Sequence, residues 1–273
     1  MRHYNFALSL AILVALTVQV QGGTSARTWT IDGVERTGSV YTPNDAAKKP
    51  ESGWPIVFVF HGHGNTADGA QRQFGIEERW PGAIVVYLQG LPTPGLRVDK
   101  EGKKSGWVLR EGPKSNRDVK LYDEVLKRIL ADDDGGDAKR VYVTGSSNGG
   151  LFAYYLWMHR GETIRAVAPV SASAGEVKSF DLAPKPAMLV AGRKDTLVDF
   201  HEQEATMEHI KELNGCTGEG KPWGNDTARW FKSTKDSPTI LWKHDGGHAP
   251  PRQIGRAVTA FFKEIDGPGD GAR

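Results

Sequence analysis

The sequence predicts an α/β fold with a doubly wound, mostly parallel β-sheet and an antiparallel hairpin at its N-terminal end. Predicted strands and helices alternate along the chain, which favours a sheet covered by helices. Most of the strands are continuous apolar runs, and such runs are typical of parallel strands buried on both faces. The 273 residues are enough for one domain of this kind.

The elements follow in chain order, beginning with the hairpin. Segments 28–32 and 35–41 are predicted strands that meet at Asp32-Gly33, a dipeptide that favours a tight turn. Further strands are predicted at 55–60, 83–88, 141–143, 164–170, 186–191, 228–231 and 239–243. Helices are predicted at 66–74, 118–131, 151–158, 200–213 and 250–265. Segments 89–117 and 215–226 are predicted loops, and loops as long as the first are often functional.

The first 22 residues are predicted to be a signal peptide. Arg2 precedes a continuous apolar run at 6–18, and small residues follow at Gly22 and Gly23. This run is too short to span a bilayer, which disfavours the alternative of a membrane anchor. We therefore expect a secreted or periplasmic protein in which residues 23–273 form a single domain, with no membrane association after signal cleavage.

Composition excludes some classes of partner. The chain has 35 Lys and Arg residues against 33 Asp and Glu residues, and its net charge of +2 gives no reason to expect nucleic acid or an anionic membrane as partner. Cys216 is the single cysteine, so an intramolecular disulfide is impossible.

The segment V-Y-V-T-G-S-S-N-G-G at 141–150 is the most informative about function. It contains G-x-S-x-G around Ser147, between a predicted buried strand and a predicted buried helix. In that setting the motif predicts a nucleophile elbow, a turn so tight that the residues two positions from the serine must be glycines. The alternative is a glycine-rich turn with an incidental serine.

A serine nucleophile needs a base and an acid that orients the base, and after an elbow they follow in the order acid, then histidine. Asp195 and Asp199 both follow the predicted strand 186–191. We favour Asp195, because Asp199 precedes the helix at 200–213 and, with Glu202, fits an N-terminal cap.

For the base we favour His248 over His244. Gly246-Gly247 precedes His248 and gives it the freedom to reach Ser147, whereas His244 ends a predicted strand. Pro250-Pro251 then suits the first turn of the closing helix.

Two backbone N–H groups are predicted to bind the developing oxyanion. One belongs to Asn148, directly after the nucleophile, and the other to His63, in the loop after strand 55–60. The alternative for this loop is a metal bound by the His61 and His63 pair. A third ligand is not evident, so we expect no metal and no cofactor.

Two tryptophans in the long loops are predicted to contact substrate. They are Trp107, in segment 89–117, and Trp223, in segment 215–226. The alternative is that both belong to the core, where tryptophan is usually buried.

Six segments together carry a resemblance to a known family. They are His61-Gly62, Asp118-Val119, R-V-Y-V at 140–143, G-S-S-N-G-G at 145–150, residues 192–198 and Gly246-Gly247-His248. The chain resembles the secreted polyhydroxybutyrate depolymerase and feruloyl esterase-like family of the α/β-hydrolases. The resemblance covers about residues 29–265 and implies an α/β-hydrolase fold with the triad Ser147, Asp195 and His248.

The family resemblance also implies a reaction. It implies a serine esterase that acts on polyesters or on acyl groups of plant cell-wall polysaccharide, with a small-molecule or polymeric ester as substrate. The chain departs from many members in lacking cysteines near these motifs and in having Ala249 after the histidine. The alternatives are a peptidase or acyltransferase with the same triad, and a non-catalytic hydrolase-like binding protein.

Overall fold

The computed structural model describes residues 23–44, 49–131, 134–177 and 182–267; the predicted signal peptide lies outside them. The strands are β1 (Gly23–Ile31), β2 (Val34–Thr42), β3 (Trp54–Phe60), β4 (Ile84–Leu88), β5 (Leu91–Pro92), β6 (Ser105–Gly106), β7 (Gly136–Ser146), β8 (Ala166–Val170), β9 (Ala187–Gly192), β10 (Lys221–Trp223), β11 (Asn225–Phe231) and β12 (Thr239–His244). The helices are α1 (Ala67–Phe74), α2 (Ile76–Arg79), α3 (Arg117–Ala131), α4 (Asn148–Arg160), α5 (Phe200–Leu213) and α6 (Ile254–Asp266).

Ten of the described strands form one sheet, in the order β1-β2-β4-β3-β7-β8-β9-β12-β11-β10. The central strands run parallel to one another; in sheet order they are β4, β3, β7, β8, β9 and β12. Both edges are antiparallel, with β1 and β2 on one side and β11 and β10 on the other. The predicted doubly wound, mostly parallel sheet with an N-terminal hairpin is therefore confirmed.

Helices cover both faces of this sheet. On one face Val119 of α3, Leu151 of α4 and Met207 of α5 share a core cluster with Phe58. On the other face α1, α2 and α6 pack against the alternate residues of the same strands. Every residue of β3 and β4 is buried, which explains why these strands are unbroken apolar runs in the sequence.

The hairpin turn has the backbone that its sequence predicts. Asp32 and Gly33 have φ angles of 50° and 79°, as a two-residue hairpin loop with both central residues at positive φ requires. Aspartate and glycine are among the residues that accept this conformation most readily. β1 begins earlier than predicted, because Gly23 pairs with Thr42 at the far end of β2.

Two other predictions need correction. Segment 215–226 is not only loop, because β10 and the start of β11 form a hairpin there around Gly224, whose φ is 67°. The last helix begins at Ile254 rather than at 250, after a turn in which the Ile254 N–H donates to the Pro251 carbonyl at 2.9 Å. Among the described residues, no helix has both the length and the apolar composition that are needed to cross a membrane.

Candidate active site

Ser147 lies at the sharp turn between β7 and α4. Its φ and ψ angles are 54° and −120°, which a non-glycine residue rarely adopts. The turn packs tightly against β3: a Cβ added to Gly149 would lie 2.2 Å from the Phe60 carbonyl oxygen. Glycine is therefore required two residues after the serine by the close approach of α4 and β3.

Ser147, His248 and Asp195 form a hydrogen-bonded chain. Ser147 Oγ lies 2.8 Å from His248 Nε2, and His248 Nδ1 lies 2.8 Å from Asp195 Oδ2. Since Nδ1–H donates to the carboxylate, Nε2 is left to accept the serine proton. The three residues that the sequence singles out are thus brought together at distances suited to proton transfer.

The loop that carries His248 is fixed to the end of β9. The Arg193 N–H donates to the His244 carbonyl at 2.8 Å, and the Lys194 N–H donates to the Gly246 carbonyl at 2.9 Å. A Cβ on Gly192 would lie 2.1 Å from the Gly247 carbonyl oxygen, so the two loops touch through their backbones. This contact places the base and the acid side by side.

The Asp195 carboxylate accepts hydrogen bonds on both of its oxygens. Its side chain is inaccessible to solvent, and Oδ1 accepts the N–H groups of Leu197 at 2.9 Å and Val198 at 3.0 Å. Oδ2 accepts from Gln203 Nε2 at 2.9 Å in addition to His248. Four donors thus bind the carboxylate and fix its direction.

Gln203 is a site residue that the sequence does not reveal. It is 1% exposed, one turn into α5, and also donates to the Val198 carbonyl at 2.7 Å. Gln203 reaches Asp195 only because α5 packs against the turn after β9, and no local sequence motif predicts that packing.

The two alternatives for acid and base have other roles. Asp199 caps α5, since its Oδ1 accepts the His201 N–H at 2.8 Å. His244 Nδ1 accepts the Gly246 N–H at 3.1 Å, and burial lowers the pKa of His244.

The two predicted oxyanion donors flank Ser147. Asn148 is the first residue of α4, so its N–H has no partner within the helix. His63 follows Gly62 after β3, and a Cβ on Gly62 would lie 3.6 Å from Ser147 Cβ. His63, Asn148 and Ser147 line the same cavity, of about 40 Å³.

The metal alternative for His61 and His63 conflicts with their side-chain contacts. His61 is fully buried; its Nδ1 donates to the Gly62 carbonyl at 2.8 Å, and its Nε2 accepts the Gly90 N–H at 2.9 Å. His63 Nε2 instead donates to Asp99 at 2.9 Å. Both nitrogens of His61 are occupied within the fold, so the pair does not present a shared ligand position.

Trp107 and Trp223, which are predicted to contact substrate, both make contacts within the fold. Trp107 is 1% exposed, stacks on Phe152 in the core and donates from Nε1 to the His61 carbonyl at 2.8 Å. Trp223 Nε1 donates to Glu264 of α6 at 2.9 Å. Neither tryptophan lines the cavity at Ser147.

Trp107 nevertheless supports the site through hydrogen bonds to residues beside Ser147. Its backbone N–H donates to Asn148 Oδ1 at 2.7 Å, and its indole holds the loop that leads to His63. These contacts tie segment 89–117 to both predicted oxyanion donors.

Comparison with known proteins finds esterases by sequence, although no family model matches the chain. Feruloyl esterase D of Neurospora crassa is 24% identical over 236 residues, which are 83% of this chain and 78% of that protein. A bifunctional acetylxylan esterase/xylanase of Neocallimastix patriciarum is 25% identical over 251 residues. The match covers 86% of this chain but only 34% of the bifunctional protein.

Solved structures show the same fold. Acetyl xylan esterase from Aspergillus awamori has a TM-score of 0.64 at 17% identity, covering 87% of this chain and 98% of that chain. FphF, a fluorophosphonate-binding serine hydrolase of Staphylococcus aureus, has a TM-score of 0.59 at 12% identity, covering 89% and 99%. The chain is thus an α/β-hydrolase by fold and is similar in sequence to ester hydrolases, which confirms the resemblance that its motifs indicate.

Proposed function

We propose that this protein is an exported serine esterase that hydrolyses carboxylic esters through an acyl-enzyme. Residues 1–22 would direct export, and residues 23–273 would act as one catalytic domain. The substrate class is that of polyhydroxyalkanoate-type esters or of feruloyl and other acyl groups on polysaccharide. The observation that carries the proposal is the hydrogen-bonded chain from Ser147 through His248 to Asp195.

In the first half of the proposed reaction, Ser147 Oγ attacks the ester carbonyl carbon. His248 Nε2 takes the serine proton, and Asp195 stabilises the imidazolium that forms. The carbonyl oxygen becomes an oxyanion, which the N–H groups of His63 and Asn148 bind. His248 then donates the proton to the alcohol oxygen as the carbon–oxygen bond breaks, leaving an acyl group on Ser147.

In the second half, water takes the place of the alcohol. His248 removes a proton from the water, whose oxygen attacks the acyl carbon, and returns that proton to Ser147 Oγ as the acid leaves. One ester and one water thus give one alcohol and one carboxylic acid.

Labelling with a fluorophosphonate probe tests the proposal directly. Such a probe reacts with an activated serine, so we expect label on the peptide that contains Ser147, together with hydrolysis of p-nitrophenyl acetate. Absence of labelling would contradict the proposal and favour a non-catalytic binding protein. Labelling with cleavage of peptides but not of esters would instead favour a peptidase.

A further inference from the structure

One side of the cavity at Ser147 is formed by residues 95–98 of the long loop, here called the acyl wall. Leu96 and Val98 of this wall line the cavity together with Leu151 of α4 and with Leu197 and Val198, which follow β9. The space between them is lined mainly by aliphatic side chains, which suits the hydrocarbon part of an acyl group.

The volume of this cavity limits what it can hold. It measures about 40 Å³. The cavity is therefore narrow, and a short acyl group such as acetyl suits it better than the aromatic ring and side chain of a feruloyl group.

The acyl wall is fastened most firmly by Asp99. This carboxylate accepts from His63 Nε2 at 2.9 Å and from the N–H groups of Lys103 and Lys104 at 3.1 and 2.8 Å. Asp99 also has a φ of 49°, in the left-handed region that aspartate accepts more readily than most residues. One side chain therefore joins the wall to the loop that carries a predicted oxyanion donor.

A second contact fastens the middle of the wall. Arg97 forms an ion pair with Glu202 in the first turn of α5. Their side chains are 30% and 46% exposed, and exposed pairs of this kind contribute little, so we assign the main role to Asp99.

We propose that the acyl wall restricts this enzyme to esters of short acyl groups such as acetyl, and that Asp99 is the positioning residue that holds it. The inference rests on the proposed esterase function and narrows its substrate. A longer chain must push the wall outward, and doing so breaks the contacts of Asp99. The mouth of the cavity, where Val98 and Leu197 are 43% and 37% exposed, remains open to the rest of the substrate.

The test compares kcat/KM for p-nitrophenyl acetate, butyrate and octanoate. Because a mismatch of one methylene group is worth about tenfold or more, we expect wild type to prefer acetate over octanoate by more than that factor. Leu96→Ala enlarges the cavity and should raise the octanoate-to-acetate ratio about tenfold. Asp99→Asn should raise the same ratio by releasing the wall, whereas a merely structural role would lower both rates equally.

Lys103→Ala is the matched control, because Lys103 lies on the same loop and its side chain pairs with exposed Glu101. It should leave the ratio unchanged. Val98→Ala, at an exposed wall position, repeats the test if Leu96→Ala does not fold. Equal rates for acetate and octanoate in wild type would overturn the proposal about the acyl wall but not the proposed function. Octanoate-to-acetate ratios in the wall variants equal to that of the control would do the same. Failure of wild type to cleave any of the three esters would overturn the proposed function as well.

Discussion

At the scale of single residues, the position of the Ser147 hydroxyl is set by its backbone. A positive φ at a non-glycine residue costs about 1–3 kcal/mol. The turn is held by the Ser147 N–H, which donates to the Val170 carbonyl at 2.8 Å, and by the Ser147 carbonyl, which accepts the Leu151 N–H at 2.9 Å. Neither bond uses the hydroxyl, so the side chain can be removed without removing what supports the elbow.

Ser147→Ala should therefore abolish ester hydrolysis in a folded protein. Loss of the nucleophile lowers turnover by about 10⁴ or more. Turnover of p-nitrophenyl acetate measures the effect, and circular dichroism checks the fold. Ser146→Ala is the control, because Ser146 Oγ donates to Gln73 at 3.2 Å and is not part of the chain to His248. Near-normal activity of Ser147→Ala would refute the proposed nucleophile.

Asp195→Asn and Asp199→Asn should differ sharply. The first removes the charge that orients His248 and should lower kcat by about 10⁴. The second replaces one good helix cap by another, so both rate and stability should change little. Steady-state kinetics of the two variants measure the difference, and the opposite pattern would identify Asp199 as the acid.

Sequence reasoning predicted some of these residues and missed others for a physical reason. Ser147 and its glycines follow from the local sterics of one turn, and the order of Asp195 and His248 follows from the elbow architecture. The burial of Trp107 and the bond from Gln203 depend on contacts between segments far apart in the chain. No local pattern encodes such contacts.

At the scale of elements, the close approach of α4 to β3 predicts a cost for any side chain at Gly149. Gly149→Ala should lower the free energy of unfolding by about 1–3 kcal/mol or more, because the added methyl group would overlap the Phe60 carbonyl. Urea denaturation measures the change. Gly112→Ala is the matched control, since no described residue lies within 4 Å of a Cβ there, and it should stay within about 0.5 kcal/mol of wild type. Equal stabilities would contradict the close packing.

Elements were predicted best where burial leaves a clear pattern. β3 and β4 are buried at every residue and appear as apolar runs, and Asp199 marks the start of α5 as expected. β10 lies at the edge of the sheet and is mostly exposed, so its polar residues resemble those of a loop. β10 is a strand because it pairs with β11, and amino-acid composition does not predict that pairing.

At the scale of the whole molecule, stability should depend on pH through His61. Burial lowers the pKa of His61 below that of a free histidine, near 6.5. The unfolded chain therefore binds a proton at pH values where the folded chain does not. The stabilisation is fully present above about pH 6.5 and is lost as the pH falls toward the lowered pKa.

Urea denaturation between about pH 7.5 and 5.5 measures this dependence, in a range above the titration of most carboxylates. Wild type should lose stability as the pH falls. His61→Gln should show a smaller slope, because the titrating group is gone, even if the variant is less stable throughout. Identical slopes for the two proteins would mean that His61 does not contribute.

The strand β12 joins parts of the molecule that are distant in the chain. Ser147 and His248 are 101 positions apart and Asp195 and His248 are 53 apart, and β12 must enter between β9 and β11 before His248 can meet either residue. Closing such large loops is an entropic cost that makes folding slow. A chain in which only the N-terminal half of the sheet has formed therefore lacks His248 beside Ser147 and would be inert toward esters.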